Sequence, residues 1–575
     1  MSQLKNKLWP WLLSLLFGMA VFLFWWQRYP FALSYHEQFQ LFLFDSDYLA
    51  TRLAEPGGIA RYLSEFLVQF YNNVVFGAVI IALLLVLMQR LVWRLMDQQN
   101  KTWYPLCFLP SLVTWYMMGD QSLLLAFPLA LIMVLSVMAC VKSLGMKRLS
   151  VVALCLLILV PLVYWVCGPV VLMLAVYLPL SGQKPILRDA LLSVAAVVYG
   201  VLCILLSSLI VPYTVSQLFC GLGYYRFFES FMLLMILLQL LLVALPLCGR
   251  FLPKIKVGKA HYTLLGVQVV ALTVLMLAVV PTNYDAKTYE LIEYDYLVRT
   301  QQWDAVIKKA EQQTPDLPMS VCATNLALAM KGELTTRAFD FYQRGGQGLL
   351  PPFERNYTTT LVTGEAYFQL GLVNTAQRFA FEAMEAIPNY NKSVRCVRRL
   401  AETNLINGNY EVARKYLKML EKTMFYGKWA QRTEALLGLE QQINNHPLYG
   451  QMRKKRIKED FLFSDRELDK ICGQLLMADK DNTLALQYLL MFPVLDRDLN
   501  RFMNYMMFVS QTHPGYSPRI CQEMVTFAYA SRKQQPPQGV VPEAMLQQFN
   551  QFMQAYQQGA TEMFRHSTWY YLMGK

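Results

Sequence analysis

The chain changes character near Pro281. Before that residue, apolar stretches follow one another through short connections. After it, charges are spread throughout and no stretch is long enough to cross a bilayer. A helix spanning the hydrocarbon core needs roughly 20 apolar residues, or about 17 when it stands upright. Stretches of this kind run over 8–26, 67–88, 104–118, 122–141, 151–166, 169–182, 190–211, 230–248 and 261–280, the third, fifth and sixth being short. The pattern predicts an all-α protein with a membrane domain of nine spans over 1–281 and a water-facing helical domain over 282–575. The overall figures of 55% hydrophobic and 16% charged residues average over these two unlike halves.

Cytoplasmic connections retain Lys and Arg, which sets the orientation. With the amino terminus inside, the inner segments hold Lys5, Lys7, Arg90, Arg94, Lys101, Lys142, Lys147, Arg148, Lys184, Arg188, Arg250, Lys254, Lys256 and Lys259. Those fourteen stand against four outside, Arg28, Arg52, Arg61 and Arg226. Nine spans then carry the second domain outside, which for a bacterial inner-membrane protein is the periplasm. The first stretch follows two lysines, as a secretory signal would. It runs on through Phe22 to Trp26 without a small-residue cleavage site, so it reads as a retained helix.

The net charge of +13 divides unevenly: 18 basic and 9 acidic residues precede residue 282, with 34 and 30 after it. The second half therefore carries no basic footprint for nucleic acid. Its one basic run, Arg453 to Lys458 (RKKRIK), reads as a solvated face or a lipid head-group contact. Of eleven cysteines, six lie at the spans, while Cys220, Cys322, Cys396, Cys472 and Cys521 are expected outside without CxxC or Cys/His spacing. That spacing defines neither a disulfide pairing nor a zinc site.

From Tyr289 onward apolar residues recur at helical spacing. The segment Gly371-Leu-Val-Asn-Thr-Ala376 continues to Ala383 and Pro388, and Gly408-Asn-Tyr-Glu-Val-Ala413 continues to Leu417 and Leu420. Superposing Ala376 on Ala413 gives a period of 37 residues, with weaker copies at Gln302–Ala305 and Lys331–Leu334. These segments resemble the second helix of a tetratricopeptide (TPR) repeat, over residues 295–425. The resemblance implies an α-solenoid that binds a peptide or protein in its concave face. Beyond residue 450 the pattern becomes generic helix, as over 482–510 and 541–557.

No P-loop, GxGxxG, GxSxG or HExxH occurs. The remaining candidates are polar groups at the outer ends of the spans, where ionisable side chains are costly and functional suspects. The first outside loop, 27–66, contains Tyr35-His36-Glu37-Gln38 and an amphipathic stretch, Phe39 to Leu49, that includes Asp45 and Asp47. Phe39, Leu41, Phe42, Leu43 and Phe44 would lay that stretch flat on lipid. Asp120 lies in the turn between spans three and four, and Tyr224-Tyr225-Arg226 between spans seven and eight.

Acid, acid and base on three outside loops resemble the layout of C-type (GT-C) glycosyltransferases, integral enzymes that use polyprenyl-phosphate-linked sugars. By that resemblance Glu37, or Asp45 or Asp47, is the first-loop acid that activates the acceptor, and Asp120 its companion. Arg226 with Tyr225 would hold the lipid phosphate, since a guanidinium fork suits phosphate. His36 is a secondary candidate, and a divalent cation, Mg or Mn, would accompany the acids. Each residue has a bland alternative: His36 and Glu37 capping an interfacial helix, Asp45 and Asp47 on a solvated face, Asp120 capping the fourth span, and Arg226 reaching to head groups. Asn72 and Asn73, read as lying in the second span, suit interhelical hydrogen bonds.

The segments HEQFQLF, the PGG turn, QFYNN and TNYDAKTYE also resemble a family of multispan membrane proteins from Bacteroidota whose activity is uncharacterised. The expected function is transfer of a sugar or oligosaccharide from a polyprenyl-phosphate carrier to a periplasmic acceptor. The TPR-like domain would present that acceptor or a partner. The alternative is a non-enzymatic scaffold, a multispan anchor displaying the TPR-like array for envelope assembly. A transporter comes third, because no span shows a midplane charge or paired broken helices.

Overall fold

The computed structural model describes residues 2–96, 100–145, 148–182, 187–227, 233–256, 258–352, 354, 357–388, 391–457, 467–537 and 539–573. Lys147, Lys184 and Lys458 lie outside them, as do residues 230–232 of the expected eighth span. The regular elements among the described residues are all helices, without a strand beyond isolated bridges. Contacts divide the chain into two units, Met1–Ala286 with Lys422–Phe425, and Lys287–Glu421 with Tyr426–Lys575.

In the first unit the helices are α1 (Ser2–Leu23), α2 (Pro30–Gln38), α3 (Ser46–Leu53), α4 (Gly58–Val68), α5 (Val74–Met96), α6 (Leu109–Met117) and α7 (Ala126–Ser143). They continue with α8 (Leu149–Cys167), α9 (Leu172–Leu180), α10 (Leu187–Ser207), α11 (Val215–Cys220), α12 (Leu233–Gly249) and α13 (Lys259–Val274). Six segments are long and apolar enough to cross a membrane: Leu8–Arg28, Val74–Met96, Ala126–Ser143, Ser150–Cys167, Leu187–Ser207 and Lys259–Asn283.

The other three expected spans are shorter. Residues 104–118 divide into a 3-10 segment, Lys101–Phe108, and α6, where Pro105 and Pro110 withhold backbone donors. Pro169–Leu180 and Leu233–Gly249 are short apolar helices. The second span also starts later than expected, because a 3-10 turn over Gln69–Asn72 and an extended Asn73 precede it. The Asn73 Oδ1 accepts from the Val75 N–H at 3.0 Å, so Asn72 and Asn73 stand before the span, not in it.

Hydrogen bonds define two ends of this bundle. At one, Lys142 Nζ and the Tyr177 hydroxyl reach the Leu95 carbonyl (2.9 and 3.5 Å), and Arg250 Nη2 reaches the Leu180 carbonyl (2.8 Å). At the other, the Gly57 N–H donates to Trp165 O (2.9 Å), Trp165 Nε1 to Leu53 O (2.8 Å) and Asn283 Nδ2 to Tyr116 O (2.9 Å). All the expected site residues lie at this second end or in the connections that meet there.

In the second unit the helices open as α14 (Ala286–Arg299), α15 (Trp303–Gln312), α16 (Pro318–Met330), α17 (Leu334–Arg337), α18 (Tyr357–Leu370), α19 (Val373–Glu385), α20 (Val394–Asn407) and α21 (Tyr410–Glu421). Leu370 and Asn407 end equivalent helices 37 residues apart, and Val373 and Tyr410 begin the helices that follow them at the same spacing. Gly371 and Gly408 turn each pair with φ +103° and +82°. Ala376 and Ala413 are both buried.

The array then departs from nearest-neighbour stacking. Helix Thr483–Leu495, buried on every side from Leu484 onward, packs against α16, α17 and α18. Its Gln487 amide donates to Ala329 O at 2.9 Å and accepts from the Leu334 N–H at 3.0 Å, and Asn482 Nδ2 donates to Leu370 O at 3.0 Å. These bonds satisfy backbone groups left over at helix ends. The segment expected as one helix over 482–510 is two, broken at Asp496–Asp498, where Arg497 has φ +60°.

Candidate functional site

Two connections are stitched together backbone to backbone. The Leu124 N–H donates to Tyr224 O at 2.9 Å and the Arg226 N–H to Ser122 O at 2.7 Å. Asp120 stands two residues before this stitch. Its Oδ1 accepts from the Ser122 N–H at 2.8 Å, which folds the turn locally. Since α7 begins only at Ala126, Asp120 does not cap that helix. Burial and the nearby Asp120 carboxylate push the Tyr225 hydroxyl well above its ordinary pKa.

Arg226 joins the third connection. Its guanidinium carbon lies 3.3 Å from the ring centre of Phe39 and 5.0 Å from that of Tyr35, one helical turn apart at the end of α2. Its Nη2 lies 3.5 Å from His36 Nδ1. Burial, reinforced by Arg226, lowers the His36 pKa to about 3. The imidazole is therefore neutral at ordinary pH, and a lone pair on Nδ1 can face the guanidinium. Arg226 is itself only 5% exposed, so it does not reach out to head groups.

The carboxylates differ in setting. Glu37 is buried and accepts a hydrogen bond from the Gln38 side chain. Asp120 is half-buried. Asp45 occupies the N-cap position of α3 without a side-chain cap bond, and its Oδ2 accepts from Lys422 Nζ at 2.8 Å. Asp47 is exposed in the first turn of α3.

The stretch Phe39–Leu49 is not the single lipid-lying helix its pattern suggested. Residues 40–45 form no regular element between α2 and α3, and Phe39, Leu41 and Phe42 are buried. The Phe42 ring packs against Phe44, Tyr48, Tyr62 and Phe66, so protein covers Phe42, while Phe44 stays half exposed. Among the described residues no three His, Cys, Asp or Glu side chains come together as a metal-holding group.

A second polar cluster at the same end escaped the sequence reading. Arg52 grips Glu65 through Nε (2.8 Å) and Nη2 (3.0 Å), while Arg61 bridges Glu65 (3.2 Å) and Glu55 (2.8 Å). The Tyr48 hydroxyl also donates to Glu65, and Tyr213 OH donates to Glu55 at 2.6 Å. Burial opposes ionisation of Glu65, but Arg52 first and Arg61 second outweigh it and hold the carboxyl below its usual range. The signal in the sequence was the i, i+4 pair Arg61/Glu65 on one face of an otherwise apolar helix.

Gly57 admits the turn into that helix. It has φ +78°, and a Cβ there would lie 3.4 Å from the Gly168 backbone. Two arginines of the first connection are thus committed to internal ion pairs, whereas Arg226 lies where all three connections meet.

A family model described as "Family of unknown function (DUF6057)" matches residues 5–575. No curated protein and no solved structure matches the chain.

Proposed function

Since the chain belongs to this family of unknown function, its activity has to be read from its own geometry. We propose a GT-C-like transferase of the bacterial inner membrane that moves a sugar or oligosaccharide from a polyprenyl-phosphate carrier to a periplasmic acceptor. The observation that carries this reading is the meeting of three connections through Arg226, His36 and the stitch beside Asp120. Fourteen basic residues in the inner segments against four outside support the orientation.

In this reading Asp120 serves as the base, ahead of the more deeply buried Glu37. It takes the proton of the acceptor hydroxyl or amide as that atom attacks the anomeric carbon. The bond from that carbon to the phosphate oxygen breaks, and the departing phosphate keeps the electron pair beside Arg226, with Tyr225 as a further donor. The second unit acts as a TPR-like array presenting the acceptor or a protein partner, supported by the 37-residue spacing of α18–α21.

The test measures the cell's periplasmic glycoconjugates in strains carrying Asp120→Asn, Glu37→Gln or Arg226→Gln, with protein levels checked in the membrane fraction. Loss of a glycan product with normal protein levels is the expected result. Unchanged glycoconjugates, together with harm from deleting 290–575, would instead establish the scaffold.

A further inference from the structure

Helix α4 is amphipathic in the reverse of the usual sense. Ala60, Arg61, Ser64, Glu65 and Val68 face inward, so the helix buries its charged side chains. Ile59, Leu63 and Leu67 lie on the opposite face, none of them buried and Leu63 38% exposed, with Tyr62 and Phe66 beside them packed against Phe42. In water this arrangement loses twice, by desolvating charges and by wetting apolar surface. In hydrocarbon the preference inverts: ionisable groups turn to the protein interior and pair, and apolar side chains face out.

Two further observations name the medium. The helix packs against α8, whose outward residues Leu154, Leu157, Ile158 and Leu162 are more than half exposed along a segment apolar enough to span. The outer face of α4 therefore continues a surface already suited to acyl chains. The charges beneath it also balance: Arg52 and Arg61 against Glu55 and Glu65, all within ion-pair distance. A neutral, internally satisfied cluster is what a membrane-depth site tolerates.

We propose that α4 is embedded in the bilayer, with Ile59, Leu63 and Leu67 against acyl chains, and that the first connection dips into the membrane beside α8. Water is met by α3, where Ser46, Asp47 and Thr51 are exposed. The placement is independent of the transferase reading and would hold for a scaffold as well.

The experiment uses the full chain in vesicles of zwitterionic and anionic phospholipid. Leu63→Cys, Leu162→Cys and Thr51→Cys are each treated with a charged, membrane-impermeant maleimide and read over the parent's own cysteines. Labelling at 51 with none at 63 or 162 is expected. A benzophenone amino acid at position 63 provides a second readout and should yield phospholipid adducts. Labelling of Leu63→Cys at the rate of Thr51→Cys would overturn the placement, as would crosslinks from 63 to a second copy or another protein.

Discussion

Helices α4 and α21 are both amphipathic and face opposite ways. In α21, Ala413, Leu417 and Leu420 are buried while Glu411 and Lys418 stand outside. In α4 the charges go in and the leucines out. The two units also obtain their buried ion pairs differently. Arg52, Arg61, Glu55 and Glu65 come from one short segment, so the first unit's cluster closes locally. The second unit adds long-range pairs to local ones such as Arg399–Glu402: Arg395 reaches both oxygens of Asp295, one hundred residues away, and Arg399 reaches Glu365. An apolar stripe thus reports that a helix has two faces. Which face is buried depends on the surrounding medium and on what the tertiary contacts supply.

The strongest challenge to this contrast is truncation after Ile457. It removes helix Thr483–Leu495, which fills the core beside α16 and α18. Limited proteolysis should show residues 287–421 losing protection, while the first unit stays in the membrane fraction. A chain of self-sufficient repeats would keep its protection.

Next in size are the buried pairs. Glu65→Ala leaves two buried arginines without their shared carboxylate, and Asp295→Ala does the same to Arg395. Each should cost about 3–5 kcal/mol in its own unit by denaturant unfolding. An effect of either variant on the other unit would dissolve the distinction between local and long-range pairing.

Acid should separate the units further. The His36 pKa is lowered from 6.5 to about 3, so folding favours the neutral ring. Its contribution is fully present above pH 6.5 and is lost as the pH falls toward 3, because the unfolded chain takes up the proton first. In the second unit Glu365 is held low by Arg399 and Arg395 against the opposing effect of burial, and its contribution fades only below about 4.5. Stability followed from pH 7 to 5 should therefore fall in the first unit before the second, and His36→Gln should remove much of the difference.

The smallest expected effect tests whether the two repeat glycines are equivalent. Both have positive φ, so alanine at Gly408, with open space around it, should cost about 1–2 kcal/mol. At Gly371 a Cβ would also meet Lys455 Cβ at 2.8 Å, so Gly371→Ala should cost more in the same thermal assay. Equal losses would mean that the Lys455 segment yields freely.

Much of this organisation was legible. The apolar stretches located the six long helices of the first half but not α2, α3, α4 or α11, and Gly371 and Gly408 located the turns within α18–α21 at the 37-residue spacing. The three connections that meet at Arg226 were also picked out by their charges. The ring pair Tyr35/Phe39 around Arg226 was not, because contacts between distant segments leave no periodic trace. Nor did the uniformly apolar 483–495 show its place, since a helix without a polar face indicates burial but no neighbour.

The sequence by itself determined where helices form, where they turn and which half can enter a membrane, because propensity, glycine conformation and apolar length act locally. Only the tertiary structure decided which charges pair, that α4 hides its polar face, and that a late helix completes an early array. Those outcomes depend on desolvation and packing between residues far apart in the chain, and such energies exist only once the surfaces have met.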